Sequence, residues 1–171
     1  MKTKNIIYIL IVILFIIGLY FWGYSTKGGT AVSTQDTSTT KVSEGSLIAT
    51  EKFYDFGAIS MKDGLVNKVF KISNSSEEDI NLMSISTSCM CTVVYITEQN
   101  GGKKGPFGMP GHGIVPKANE IIKAGESRDI EVVYDPNAHG PAGVGRINRL
   151  VYLEDANGNK LQFEIKANVT P

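Results

Sequence analysis

Ten residues near the C-terminus, KLQFEIKANV (Lys160 to Val169), constrain the fold of this chain more than any others. Leu161, Phe163, Ile165 and Ala167 alternate with Gln162, Glu164 and Lys166. A period of two sends apolar side chains to one face and polar ones to the other, which describes a strand with one buried side and not an amphipathic helix. Shorter runs of the same kind recur from Leu47 onward: IATEKFYDFG, LVNKVFKISN, INLMSIST, TVVYI, DIEVVYD and RINRLVYLED. In the second, Val66, Val69 or Phe70, and Ile72 compete for the core face. In INLMSIST, Ile80, Leu82 and Ser84 share one face and Asn81, Met83 and Ile85 the other. Ile130, Val132 and Tyr134 form one face of their run, and Ile147, Leu150 and Tyr152, less regularly, one face of theirs. Asn157-Gly158 between the last two runs predicts a hairpin. Seven short strands without helical periodicity point to an all-β, immunoglobulin-like antiparallel sandwich over residues 47–171. The only tryptophan, Trp22, lies far from the two neighbouring cysteines, so the Cys…Trp…Cys core of antibody domains is missing.

The N-terminus has a different character. Residues 6–24, IIYILIVILFIIGLYFWGY, carry no charge and no proline. At about 1.5 Å per residue this run reaches nearly 30 Å, enough to span a hydrocarbon core. Lys2 and Lys4 precede it, and Tyr20, Trp22 and Tyr24 mark its far end. It is longer than a cleavable signal core and lacks a small-residue cleavage site, so an uncleaved transmembrane signal anchor is expected. The lysines keep residues 1–5 cytoplasmic and place everything after Tyr24 outside, in single-pass topology. Residues 25–46, rich in Ser, Thr and Gly, predict a flexible stalk. Seventeen basic residues balance seventeen acidic ones, which excludes the footprint of a nucleic-acid binder.

Four stretches, FYDFGAI (Phe53 to Ile59), VFKISNSS (Val69 to Ser76), SISTSCMCT (Ser84 to Thr92) and IIKAGESRDIEVVYDP (Ile121 to Pro136), resemble the bacterial domain of unknown function 1573. The resemblance implies an immunoglobulin-like fold, similar to Hydin-type and major-sperm-protein-type sandwiches, and association with the cell envelope. It implies no settled activity. The Gly/Pro-rich insert at 97–119, TEQNGGKKGPFGMPGHGIVPKAN, is longer than the family's connection at that place.

The only cysteines, Cys89 and Cys91, sit in SCMCT. On a fully extended strand they would project to one face with Cα atoms about 6.5–7 Å apart, the far edge of disulfide geometry. A kinked backbone would relax that, and the same arrangement could aim two thiolates at one metal. Met109 and His112 in the insert, with His139 in DPNAHGPAG, complete a soft-to-borderline donor set that suits Cu(I) better than Zn(II). The main expectation is a binding or scaffold domain, not an enzyme, with a candidate Cu(I) site of Cys89, Cys91, Met109 and His112, and His139 as an extra candidate ligand. A purely structural module docking an unidentified envelope protein is the first alternative. A thiol redox protein using Cys89 and Cys91 is the second. It is weakened because no helix N-terminus is predicted beside the thiols and the nearest cations, Lys103 and Lys104, fall in a loop. No nucleophile elbow, Walker loop or His-Glu-x-x-His is present.

Overall fold

Strand alternation does build this protein, in more pieces than the sequence suggests. The computed structural model describes Ile13, residues 47–98 and residues 100–171. The cytoplasmic segment 1–5, the anchor 6–24 (apart from Ile13) and the stalk 25–46 lie outside the described residues. Among the described residues no helix is long and apolar enough to cross a membrane. The fold lies in the unit Thr39–Pro171. Its strands are β1 (Leu47–Ala49), β2 (Phe53–Ser60), β3 (Val66–Asn74), β4 (Ile80–Thr87), β5 (Thr92–Thr97), β6 (Lys103–Phe107), β7 (Glu120–Ile122), β8 (Ser127–Tyr134), β9 (Gly145–Asp155) and β10 (Lys160–Thr170).

They form two five-stranded sheets, in the orders β1-β3-β8-β5-β6 and β2-β10-β9-β4-β7. The expected seven strands are therefore ten among the described residues. IATEKFYDFG splits because β1 pairs with β3 in the first sheet while β2 pairs with β10 in the second. β6 was hidden by Gly105 and Pro106, residues a sheet tolerates at an edge, which is where β6 lies. β7 is three residues long, too short to show a period. The expectation of purely antiparallel pairing is also corrected, since β2 and β10 run parallel. Strands so far apart in the chain need no tight hairpin, so either direction is open to them.

The core faces follow parity, with the open choice in β3 settled and corrections in β4 and β9. In β3, Phe70 and Ile72 are buried and Val69 is exposed. In β4 the register against β9 shifts between Leu82 and Ser84. That bulge resets the period, so Ile80 and Leu82 are buried before it and Ile85 and Thr87 after it. In β9 the inward row is Ile147, Val151 and Leu153, while Leu150 and Tyr152 are only half-buried. Leu161, Phe163, Ile165 and Ala167 of β10 are buried as their alternation predicts. Phe70 from one sheet stacks on Phe163 from the other, ring centroids 4.5 Å apart. Such a ring pair locks the two inner faces together beyond its buried area alone. The β9–β10 hairpin closes through Asp155 N–H donating to Asn159 O, with Gly158 at φ 82°.

One ion cluster ties the insert to the sandwich. Buried Arg128 of β8 donates through Nε to Glu120 of β7 at 2.9 Å, and Glu120 also receives Lys104 Nζ of β6 at 3.2 Å. Arg128 Nη2 reaches Glu126 at 3.2 Å and the Ile121 carbonyl at 3.0 Å.

Candidate functional site

Two of the connections that pass between the sheets meet at one end of the sandwich. Residues 88–91 carry the chain from β4 to β5, and residues 135–144 carry it from β8 to β9. The first is a tight turn, closed by Thr92 N–H donating to Cys89 O at 3.2 Å. Buried Thr87 braces it, its Oγ1 lying 2.9 Å from Cys89 O and 3.0 Å from Thr92 O. Backbone bonds join it to its surroundings: Ser88 N–H donates to Leu150 O, and Asp135 N–H donates to Cys91 O. The backbone here is bent, not extended. The Cα atoms of Cys89 and Cys91 come to 5.3 Å, and their sulfurs are joined as a disulfide. That separation lies within the usual range for such a bond.

The two sulfurs have different environments. Cys89 is half-buried and Cys91 is 3 % exposed. His139 Nε2 lies 3.1 Å from Cys89 Sγ. Arg149 Nε–H donates to Cys91 Sγ at 3.1 Å, and its Nη1 donates to Asn148 O. Thr92 Oγ1 lies 3.7 Å from Cys91 Sγ. Tyr134 is also buried in this part of the core. Burial raises its hydroxyl pKa above the ordinary value, against an opposing pull from the Arg149 charge. Met90, between the cysteines, is about half exposed.

Of the five residues expected to form a site, the structure brings three together. The ligating atoms of Cys89, Cys91 and His139 all lie within 4.8 Å of one another. His112 does not join that cluster among the described residues; it is exposed, its N–H closing a turn onto Met109 O. Met109 is half-buried. The insert does fold back, because β6 runs antiparallel along β5, with Val94 opposite Phe107. This returns Gly108 to the cysteine turn, where its carbonyl accepts from Thr87 N–H at 3.2 Å.

Arg149 is the residue that sequence reasoning missed. Lys103 and Lys104 are not loop cations but strand residues paired with Glu131 and Glu120. The cation at the thiols comes from β9 instead. A usable signal existed: once Ile147, Val151 and Leu153 are taken as the inward row, Arg149 falls on the same side of the strand. The mistaken row of Ile147, Leu150 and Tyr152 obscured it.

Chemically, this arrangement can exist in two forms. Oxidised, it is a disulfide with a nitrogen against each sulfur, His139 Nε2 at Cys89 and the Arg149 Nε–H at Cys91. Reduced, it offers two thiolates and an imidazole within reach of one ion, a donor set that fits Cu(I). An anion on Cys91 would lie against a guanidinium, the environment that favours a reactive thiolate.

One solved structure supports the fold, and others are more distantly similar. A protein of unknown function from Porphyromonas gingivalis W83 superposes with a TM-score of 0.52 at 14 % identity, over 71 % of this chain and 46 % of that one. The secreted serine protease VesC of Vibrio cholerae gives 0.44 at 13 % identity, over 73 % and 24 %. The E. coli chaperone DraB gives 0.39 at 7 % identity, over 72 % and 55 %. This chain thus spans less than half the length of the first two proteins. No curated protein sequence matches it. The family described as "Protein of unknown function (DUF1573)" matches residues 47–107, a stretch that contains β1 to β6 and the cysteine turn but neither His139 nor Arg149. Over residues 47–107, therefore, the chain matches the DUF1573 family model, in agreement with the resemblance carried by FYDFGAI, VFKISNSS and SISTSCMCT.

Proposed function

We propose that this protein is a membrane-anchored, extracytoplasmic binding module with an immunoglobulin-like sandwich, whose Cys89–Cys91 pair exchanges a disulfide with the thiols of an envelope partner. The observation that carries the reading is a basic side chain against each sulfur: His139 on Cys89 and Arg149 on Cys91, both at 3.1 Å. A disulfide kept only for stability has no use for these neighbours. An exchanging one does, because they stabilise the thiolates of its reduced form and so make it a better oxidant. The apolar run 6–24 after Lys2 and Lys4 supports the anchored location, outside the reducing cytoplasm, where disulfides persist.

The test is equilibration of residues 46–171 with glutathione buffers, followed by alkylation and mass measurement. The expected potential is less negative than about −270 mV, the value of a reducing dithiol protein. A value below about −300 mV would make the bond a structural one and end this reading.

A second reading is favoured by the three donors within 4.8 Å: the reduced pair holds Cu(I) with His139. Titration of the reduced domain against a competing chelator tests it. Tight one-to-one binding, weakened in His139→Ala, is the expected result. Dependence on His112 as well would require the insert to move onto the cysteines. Binding that survives Cys89→Ser/Cys91→Ser would discard the site.

A further inference from the structure

The two cysteines are not equivalent, and the asymmetry sets a direction for exchange. Thiol–disulfide exchange requires an incoming sulfur to approach one disulfide sulfur, with the other as leaving group. Cys91 Sγ belongs to a residue 3 % exposed, with Thr92 Oγ1 and Arg149 Nε already against it. Cys89 is half-buried, its neighbours being exposed His139 and exposed Met90. An attacking sulfur has room at Cys89 and none at Cys91. Leaving-group quality agrees with access. A thiolate expelled at Cys91 is received by a guanidinium that stays charged at every relevant pH.

We propose that the disulfide opens in this one direction, with Cys89 as the attacked sulfur, Cys91 as the leaving thiolate and Arg149 as the positioning residue that receives its charge. In the first step a partner thiolate forms a bond to Cys89 Sγ. The Cys89–Cys91 bond breaks, and its electron pair stays on Cys91 Sγ. In the second step another partner thiolate attacks the partner sulfur of this mixed disulfide, and Cys89 leaves as a thiolate beside His139. The partner's two thiols are oxidised to a disulfide, giving up two electrons, and Cys89 and Cys91 are reduced by the same two.

The partner class follows from the second step. That step is fast when the second thiol is tethered to the first, because tethering replaces a collision with a high effective concentration. The fitting substrate is a cysteine pair on one polypeptide, with an apolar neighbour to meet exposed Met90. A monothiol such as glutathione must bring its second thiol by collision, so it completes the reduction more slowly.

This inference rests on the exchange reading above, and its test separates the two. Cys91→Ser and Cys89→Ser, each keeping one thiol, are treated with oxidised glutathione. Cys89 is expected to form the mixed disulfide at least about tenfold faster than Cys91. The oxidised wild type is then reduced by a dicysteine peptide and, separately, by glutathione at equal thiol concentration. Arg149→Met should slow the opening about tenfold, with partial recovery in Arg149→Lys, while urea melts of both variants report folding. Faster reaction at Cys91, or an unchanged rate in a folded Arg149→Met, would overturn the assigned direction. Equal rates of complete reduction by glutathione and the peptide would overturn the assigned partner. If neither reagent opened the wild-type bond, the exchange reading itself would fall.

Discussion

Glu131 on β8 holds its charge more firmly than an ordinary carboxylate. The hydrogen bond from Lys103 depresses its pKa most, followed by that from Asn67 Nδ2, while burial opposes them. A depressed carboxylate pKa means stability that is present above the unfolded value and lost as pH falls through the folded one. Lys103→Met should therefore lower stability at neutral pH by less than about 1 kcal/mol, as for a partly exposed pair. The gap from wild type should close as the pH drops through the carboxylate range, which thermal melts of both proteins at stepped pH would read. A gap that widened in acid would contradict the assignment. Single residues also show what sequence can and cannot give. Cys89, Cys91 and His139 were legible because their side-chain chemistry is rare in this chain and the strand order put their turns at one end. Arg149 was not, because arginines are common on strand surfaces and only the correct row for β9 turns this one inward.

Strands with clean alternation, β8 and β10 above all, could be read directly, since each buries one unbroken row. Reading failed where an element departs from period two: at the β4 bulge, in the edge strand β6 with its Gly and Pro, and in three-residue β7. β6 and β7 are held by ions as well as by ladders. Glu120 of β7 satisfies both Arg128 and Lys104, so its carboxylate joins three strands across the insert. Glu120→Ala would leave the Arg128 guanidinium, whose side chain is 6 % exposed, short of its main counter-charge. Glu126 and the Ile121 carbonyl remain to it. The expected loss is about 3 kcal/mol, toward the lower end for breaking a buried pair, measured by urea denaturation. A loss below about 1 kcal/mol would show the cluster to be a surface pair in energetic terms.

At the scale of the described domain, residues 47–171 were legible as a two-sheet, all-β unit because both sheets bury alternating rows against one core. Which strands join which sheet was not, because pairing across long sequence separation leaves no local pattern. If the anchor at 6–24 places the sandwich outside, a membrane-impermeant maleimide should label the Cys91→Ser variant in intact cells, through Cys89. Labelling only after lysis would put the domain on the other side. The bridge itself carries a further consequence. Its cysteines are two positions apart, so it closes a loop of three residues. Chain-entropy arguments assign such a loop about 1.6 kcal/mol, against about 4.7 for a loop of 100 residues. Denatured and oxidised, this polypeptide is nearly as free as when denatured and reduced. Reduction should consequently lower the folding free energy by no more than about 2 kcal/mol, and chemical denaturation with and without reductant would measure it. A cross-link that restrains so little of the random coil leaves the sandwich able to gain and lose it while folded.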